Sequence, residues 1–351
     1  MVELSQLQYK PQSPERYLPD IGVIGCGGIS HHHLMAYRDA GFKVTHLCDI
    51  NRDAAERRQR EFFPDANVCE DYHRVLSDPE VEVVDITTHP PERPAIIEAA
   101  LLAGKHVLSQ KPFVLDLVIG RRLVEIAKQQ GCYLAVNQNA RWAPHFSYAR
   151  QVVRQEAIGK VFAAHMSCHW DHTWVEGTEF EQVRHLILYD YAIHWFDMLR
   201  CLLGDAKRVF ASNARVPGQT LAPDLLGQAV VEFDNGQATL AFDGGVPQGP
   251  HERTFLSGTA GTLHSYGTGN QDQTVYVTRE DGCYSPKLEG KWFPTGFHGT
   301  MGELLCAIEQ KRPCLIAAED NLDSLALCFA ALESADRGEA LIPGQVNSVQ
   351  I

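Results

Sequence analysis

The chain has 351 residues, a formal net charge of −13 at pH 7 and 44% hydrophobic residues, which suits two globular domains with cores of useful size. The acid excess argues against nucleic-acid binding, since no basic stripe is present to neutralise phosphates, and no apolar run is long enough to cross a bilayer, which argues against a membrane partner. Ten cysteines stand singly without a Cys-x-x-Cys pair, several inside apolar runs, as expected for reduced core thiols of a cytoplasmic protein.

Residues 1–19 are expected to form an extended arm, polar and proline-bearing, that is neither a signal peptide nor an anchor. The apolar run from Ile21 then stops at Gly25-Cys26-Gly27-Gly28-Ile29-Ser30 and resumes as a helix from His31 to Ala40. A strand feeding a glycine turn that opens a helix makes a pyrophosphate site: Gly25 permits the tight turn, Gly27 lets backbone approach phosphate, and the helix start points N–H groups at the anion. Gly28, Ile29 and Ser30 complete that candidate loop, with Ser30 standing where the usual fingerprint has its third glycine. The histidines 31–33 point in different directions on a helix and cannot converge on one ion by themselves, so no metal is expected there.

The strand Lys43 to Cys48 ends at Asp49, where a carboxylate would accept hydrogen bonds from ribose hydroxyls and repel a 2′-phosphate. NAD is therefore favoured over NADP. Arg52 is placed to stack on adenine or to meet such a phosphate, and Asp49 has an alternative role as a helix N-cap. Helices expected at 53–62, 94–103 and 116–130 alternate with strands at 83–87, 106–108 and 132–136, the pattern of a parallel sheet covered on both faces. This doubly wound domain is expected to span 1–139, and a second, 140–351, to bind substrate and to oligomerise. In that second part, strands at 160–168, 208–211, 227–233, 237–242, 252–257, 261–265 and 274–278, with an Asp234-Asn235-Gly236 turn, predict a mostly antiparallel sheet, and helices are expected at 145–156, 188–203, 299–310 and 321–335.

Ligands of an open parallel sheet lie beyond the carboxyl ends of its strands, so the loops there carry the candidate chemistry. Thr87 and Thr88 follow one strand, and Gln110 and Lys111 of Ser109-Gln110-Lys111-Pro112 follow the next, where Pro112 restrains the backbone of Lys111. Asn139, Arg141 and Trp142 stand at the expected domain junction, a usual place for a cleft. Asp190 and His194, four apart in an otherwise apolar helix, would share one face, and burying them is costly unless they meet partners or a ligand. His169, Asp171 and Trp174 belong to a polar, aromatic cluster from His165 to Glu176 whose indole faces and carboxylates suit a sugar. The same cluster has alternatives as a metal site or as a dimer rim.

Together these segments resemble the glucose-fructose oxidoreductase, inositol dehydrogenase and MocA family (Gfo/Idh/MocA). The resemblance is carried by the glycine loop of Ile21 to Ser30, by Ala103-Gly104-Lys105-His106-Val107 with Gln110-Lys111-Pro112, by Asp190 to Gly204, and by Ser257-Gly258-Thr259-Ala260-Gly261-Thr262. It implies an N-terminal Rossmann domain, a C-terminal α/β domain whose open sheet often forms an oligomer interface, a homodimer or homotetramer, and a catalytic set of Lys111, Asp190 and His194. Two departures stand out: Gln110 replaces a usual glutamate, and Pro94 replaces a histidine. The implied activity is NAD(P)-dependent oxidation of a secondary hydroxyl on a sugar, polyol or related compound, with His194 as base, Lys111 holding the oxygen, and Asp190 orienting His194 or a neighbouring hydroxyl. Redox-assisted glycoside cleavage and a non-catalytic NAD-binding sensor are the alternatives, the latter because fold alone does not imply activity.

Overall fold

Strand β1 (Asp20–Ile24) lies at the centre of a six-stranded, wholly parallel sheet, its last four residues all buried. The computed structural model describes residues 3–268 and 271–350; Met1 and Val2 of the expected arm, with Ile351, lie outside the described residues. After β1 come α1 (Ser30–Ala40), β2 (Lys43–Cys48), α2 (Arg52–Phe62), β3 (Asn67–Cys69), α3 (Tyr72–Ser77), β4 (Val81–Ile86), α4 (Arg93–Leu102), β5 (His106–Ser109), α5 (Leu117–Gln130) and β6 (Leu134–Val136). The order β3-β2-β1-β4-β5-β6 is the doubly wound order, and its strand sequence reverses between β1 and β4.

Two of these elements escape the sequence pattern. β3 has three residues and exists by pairing Asn67, Val68 and Cys69 with His46, Leu47 and Cys48. α3 has six, started by the Asp71 carboxylate accepting from the His73 amide at 2.9 Å. Both are too short to show a hydrophobic repeat over the several turns or the roughly four to eight residues a pattern needs. Two of the helices stop where glycine allows it: Gly41 (φ 75°) closes α1 and Gly131 (φ 67°) closes α5, both left-handed. The compact unit built on this sheet comprises residues 11–142 and 293–322, and Phe297, Met301, Leu304 and Leu305 join Ile21, Val23, Leu34 and Leu108 in its core.

The other unit comprises residues 3–10, 143–292 and 323–350. Its elements are α6 (Pro144–Arg154), β7 (Val161–His169), α7 (Ile193–Leu203), β8 (Ala206–Ala214), β9 (Leu226–Phe233), β10 (Gly236–Asp243), β11 (His251–Gly258), β12 (Gly261–Gly267), β13 (Gln273–Arg279) and β14 (Gly282–Tyr284). Of the two last helices, α8 (Trp292–Gln310) belongs apart from its first residue to the first unit, and α9 (Ala318–Arg337) belongs to the second from residue 323 on. The eight strands run in the order β14-β13-β12-β11-β7-β10-β9-β8, antiparallel except for β7 beside β10. One face packs on helices, with Ser334 of α9 accepting from the Ala211 amide. On the other face Phe210, Val230, Thr239, His165, Phe255, His264 and Tyr276 line up in register across seven strands. Within this row Phe210 and Val230 are 44% and 45% exposed.

Candidate functional site

The glycine turn sits where β1 meets the sheet's reversal. Gly25 has φ 100°, and a Cβ there would meet Thr87 Oγ1 at 2.8 Å and the Thr88 amide at 3.0 Å, so both the backbone angle and the space call for glycine. Gly27 and Gly28 are exposed with open space where a side chain would stand, and no side chain caps α1, whose first turn carries no acidic residue. An open backbone cradle at an uncapped helix start fits a pyrophosphate.

Asp49 closes the loop from below. Its Oδ2 accepts from the Cys26 amide at 2.7 Å and its Oδ1 from the Asn51 amide at 2.8 Å. The N-cap of α2 is Asn51, which accepts from Asp53, so the capping role considered for Asp49 belongs to its neighbour. Arg52 lies on the first turn of α2, its Nε donating to Glu56 at 2.8 Å. Ile50, between Asp49 and these groups, is 91% exposed. An apolar side chain so bare beside a nucleotide-type turn offers a surface for the face of an adenine, and its signal in the sequence was one apolar residue inside a polar turn. Burial and the Asp49 carboxylate push the Cys26 thiol up to about 12, which leaves it protonated and inert.

Several of the residues expected near the cofactor shape the loop itself. The Thr87 hydroxyl is buried and donates to the Gly25 carbonyl. The Ser30 hydroxyl donates to the Gly27 carbonyl at 2.7 Å and accepts from Arg58, whose guanidinium also donates to the Gly27 carbonyl at 2.9 Å. Thr88 stays half-buried, and its carbonyl accepts from the Arg93 guanidinium. Arg93, 1% exposed, reaches on to the carbonyls of Gln110 and Pro112 and so ties the end of β4 to the lysine loop. An arginine opening a helix opposes the helix dipole, which is the sequence signal that was missed.

Lys111 follows β5, half-buried, before a cis peptide to Pro112. Its amide donates to Gln110 Oε1 at 2.8 Å, and that oxygen also accepts from Asn137 Nδ2 at 3.0 Å. Asn139 is 1% exposed under Gly296, where a Cβ would stand 2.6 Å from the Asn139 carbonyl. Arg141 and Trp142, expected on the substrate side, are both buried. Arg141 donates to the Leu315 carbonyl and to Asp320 at 2.8 Å, and Trp142 is a core side chain pressed on Gly299, where a Cβ would lie 2.1 Å from its Cγ. Polar and aromatic residue types at a junction are equally the material of a structural staple.

In the other unit, the expected continuous helix around Asp190 begins with a π turn over Ile187–Tyr191, closed by the Ala192 amide on the Ile187 carbonyl at 2.8 Å. Asp190 therefore sits in a wide turn and His194 on the first turn of α7. Such turns recur at functional sites. Asp190 is half-buried; His194 is 6% exposed with its ring 5.5 Å from Trp292, edge to face. Trp170 stacks on Tyr191 at 4.0 Å and donates to His172 Nδ1 at 2.7 Å, which fastens the loop after β7 to the turn that carries Asp190. Trp174 in that loop is 57% exposed. Asp171 shapes the loop: the Thr173 hydroxyl and amide both donate to it, holding its carboxyl below the usual range. His169 lies 3.9 Å from Asp243, His165 bonds Thr239 on the open sheet face, and among the described residues no three His, Cys, Asp or Glu side chains gather as metal ligands.

Residues 20–138 match the model of an oxidoreductase family with an NAD-binding Rossmann fold, GFO_IDH_MocA, and residues 146–264 match the model of the GFO/IDH/MocA C-terminal domain. The D-apiose dehydrogenase of Paraburkholderia graminis is 31% identical over 344 residues, covering 91% of this chain and 88% of that protein. Among solved structures, an oxidoreductase from Agrobacterium radiobacter in complex with NAD+, L-tartaric acid and magnesium superposes with a TM-score of 0.83 at 22% identity, covering 93% of this chain and 99% of the other. The scyllo-inositol dehydrogenase of Lactobacillus casei, with bound NAD(H) and scyllo-inositol, gives 0.79 at 21% identity, with 93% and 99% covered. At these identities the two structures show a shared fold.

Proposed function

Because the chain belongs to the Gfo/Idh/MocA family of NAD(P)-dependent oxidoreductases, we propose that it oxidises a secondary hydroxyl of a sugar or polyol, with NAD as its cofactor. The observation that carries this reading is the glycine turn between β1 and α1, open above Gly27 and Gly28 and closed below by Asp49. NAD, when bound, supplies the acceptor for a hydride. The residues of this chain handle the proton and the charge: His194 takes the hydroxyl proton as base, the Lys111 ammonium stabilises negative charge on that oxygen, and Asp190 orients His194 or a neighbouring hydroxyl. Trp174 and its loop, including His169 and Asp171, supply the sugar-facing surface. Ile50 backs the adenine, and Gln110 and Asn139 stand with the cofactor loops.

The test is a panel led by D-apiose and the inositols, the compounds named for the relatives above, with NAD and read by formation of reduced nicotinamide. Net NADH with an oxidised product is expected. Tight NAD binding without turnover across the panel would return the protein to the sensor class, and turnover without net cofactor change would make it a glycoside-cleaving enzyme. Asp49 carries the preference for NAD, so NADH should bind more tightly than NADPH in fluorescence titrations, and Asp49→Ser should narrow the gap by about tenfold or more as a repulsive charge is removed. Tighter NADPH binding by the parent would refute this.

The row from Phe210 to Tyr276, with Phe210, Val230 and His165 exposed, supports assembly as a homodimer or homotetramer through the open sheet face. Val230→Glu should then shift the mass in sedimentation toward the monomer, and a monomeric parent would end that reading. All ten cysteines are free thiols, which supports residence in the reducing cytoplasm; localisation of a tagged protein tests it.

A further inference from the structure

Beneath Lys111 runs a chain of hydrogen bonds through side chains with almost no exposure. Gln110 Oε1 accepts from the Lys111 amide at 2.8 Å and from Asn137 Nδ2 at 3.0 Å; Asn137 Nδ2 also stands 3.1 Å from His33 Nε2; His33 Nδ1 stands 2.7 Å from Asp85 Oδ2, which accepts from the Tyr37 hydroxyl at 2.7 Å. His33, Tyr37, Asp85 and Asn137 are 0% exposed and Gln110 is 5% exposed.

The direction of every bond follows from one group that cannot rotate. A backbone N–H can only donate, so the Gln110 atom facing the Lys111 amide is its oxygen. The Asn137 atom facing that oxygen must then be its nitrogen, which leaves Asn137 Oδ1 to accept from the Thr300 hydroxyl at 2.7 Å. Since Asn137 Nδ2 donates toward His33, the ring accepts at Nε2, and its proton lies on Nδ1, aimed at the Asp85 carboxylate. The tautomer of a histidine on α1 is thus set by the amide of Lys111 beyond β5. Burying Asp85 in an otherwise apolar strand is costly, and among the described residues its Oδ1 has no hydrogen-bond partner. A network kept at such cost, and ending on one loop, is organised for that loop.

We propose that His33 and Asp85 are positioning residues for Lys111, acting through Asn137 and Gln110 to hold the backbone from which the lysine projects. This rests on the reading of Lys111 as the cation that holds the reacting oxygen.

Three measurements on the full chain test it. In ¹⁵N-histidine NMR of the parent, His33 should be neutral with its proton on Nδ1; an Nε2–H tautomer or an imidazolium overturns the assignment. Asn137→Asp keeps size and shape but replaces the donor by an acceptor, and Asp85→Asn offers His33 a donor that favours the wrong tautomer. In both, exchange of the Lys111 amide should quicken by about tenfold while amides of β9 and β10 keep the parent rates. Uniform acceleration of all amides, or none at Lys111, overturns the proposal. Finally, with the substrate found in the polyol panel, Asn137→Asp should lower kcat by about 10²-fold at unchanged NADH affinity, yet cost nothing further in the Lys111→Ala background. Equal losses in both backgrounds would mean an independent structural effect and defeat the proposal. Full activity of Lys111→Ala alone would instead defeat the reading of Lys111 itself, whatever the His33 tautomer.

Discussion

Replacing Arg93 by methionine should both loosen the lysine loop and destabilise the unit that carries it. The guanidinium donates to the carbonyls of Thr88, Gln110 and Pro112 from a position 1% exposed, while methionine keeps the apolar stem and removes every donor. A hydrogen bond from a charged donor contributes about 1.5–3 kcal/mol. Three sharing one group do not add in full, so the loss should be about 3–5 kcal/mol. For a unit of this size each kcal/mol shifts the midpoint by about 2–4 °C, which gives a fall of about 6–20 °C in a thermal melt followed by circular dichroism. Because the same carbonyls flank Lys111, turnover should fall more than NADH affinity does. A melting midpoint within about 2 °C of the parent, which by the same scaling is under 1 kcal/mol, together with unchanged kcat, would refute the claim that Arg93 braces this loop.

Lys111→Ala and His194→Ala should each lower turnover by about 10²–10⁴-fold while cofactor affinity holds, and the double variant should be little worse than either single one; rates within a few-fold of the parent would remove these residues from the chemistry. Trp174→Ala should lower kcat/KM for the sugar or polyol by about three- to tenfold without changing NADH affinity, and an equal effect on both ligands would place Trp174 outside the substrate surface. The carboxylate of Glu309 accepts from the amides of Glu15, Arg16 and Tyr17, which holds its pKa below the ordinary 4.5. A depressed carboxyl contributes its hold above the ordinary value and loses it as pH falls through the folded one. Amide exchange at residues 15–17, corrected for intrinsic rates, should therefore quicken between about pH 5 and about pH 3, and Glu309→Gln should abolish this dependence; a flat profile in the parent would contradict it.

What the amino-acid order determines on its own is whatever local chemistry enforces. The glycine turn is legible because Gly25 alone tolerates its φ of 100° against Thr87. The alternation of short apolar runs with helical ones is legible because a parallel strand buried on both faces must be apolar throughout. From these the doubly wound sheet follows; the Asp234-Asn235-Gly236 turn between alternating runs signals the mostly antiparallel second sheet, and the family is legible only as a resemblance carried by several ordered motifs. Tertiary structure decided the rest, wherever a residue type has more than one use and only its partner selects among them. Trp142 became core once Gly299 left room for it, and the Thr87 hydroxyl turned to the Gly25 carbonyl. β3 became a strand only because β2 offered an unpaired edge. Asp85, His33 and Asn137 are far apart in sequence and carry no spacing signal, so the proton on His33 is fixed by hydrogen-bond partners that only folding brings within 3.1 Å.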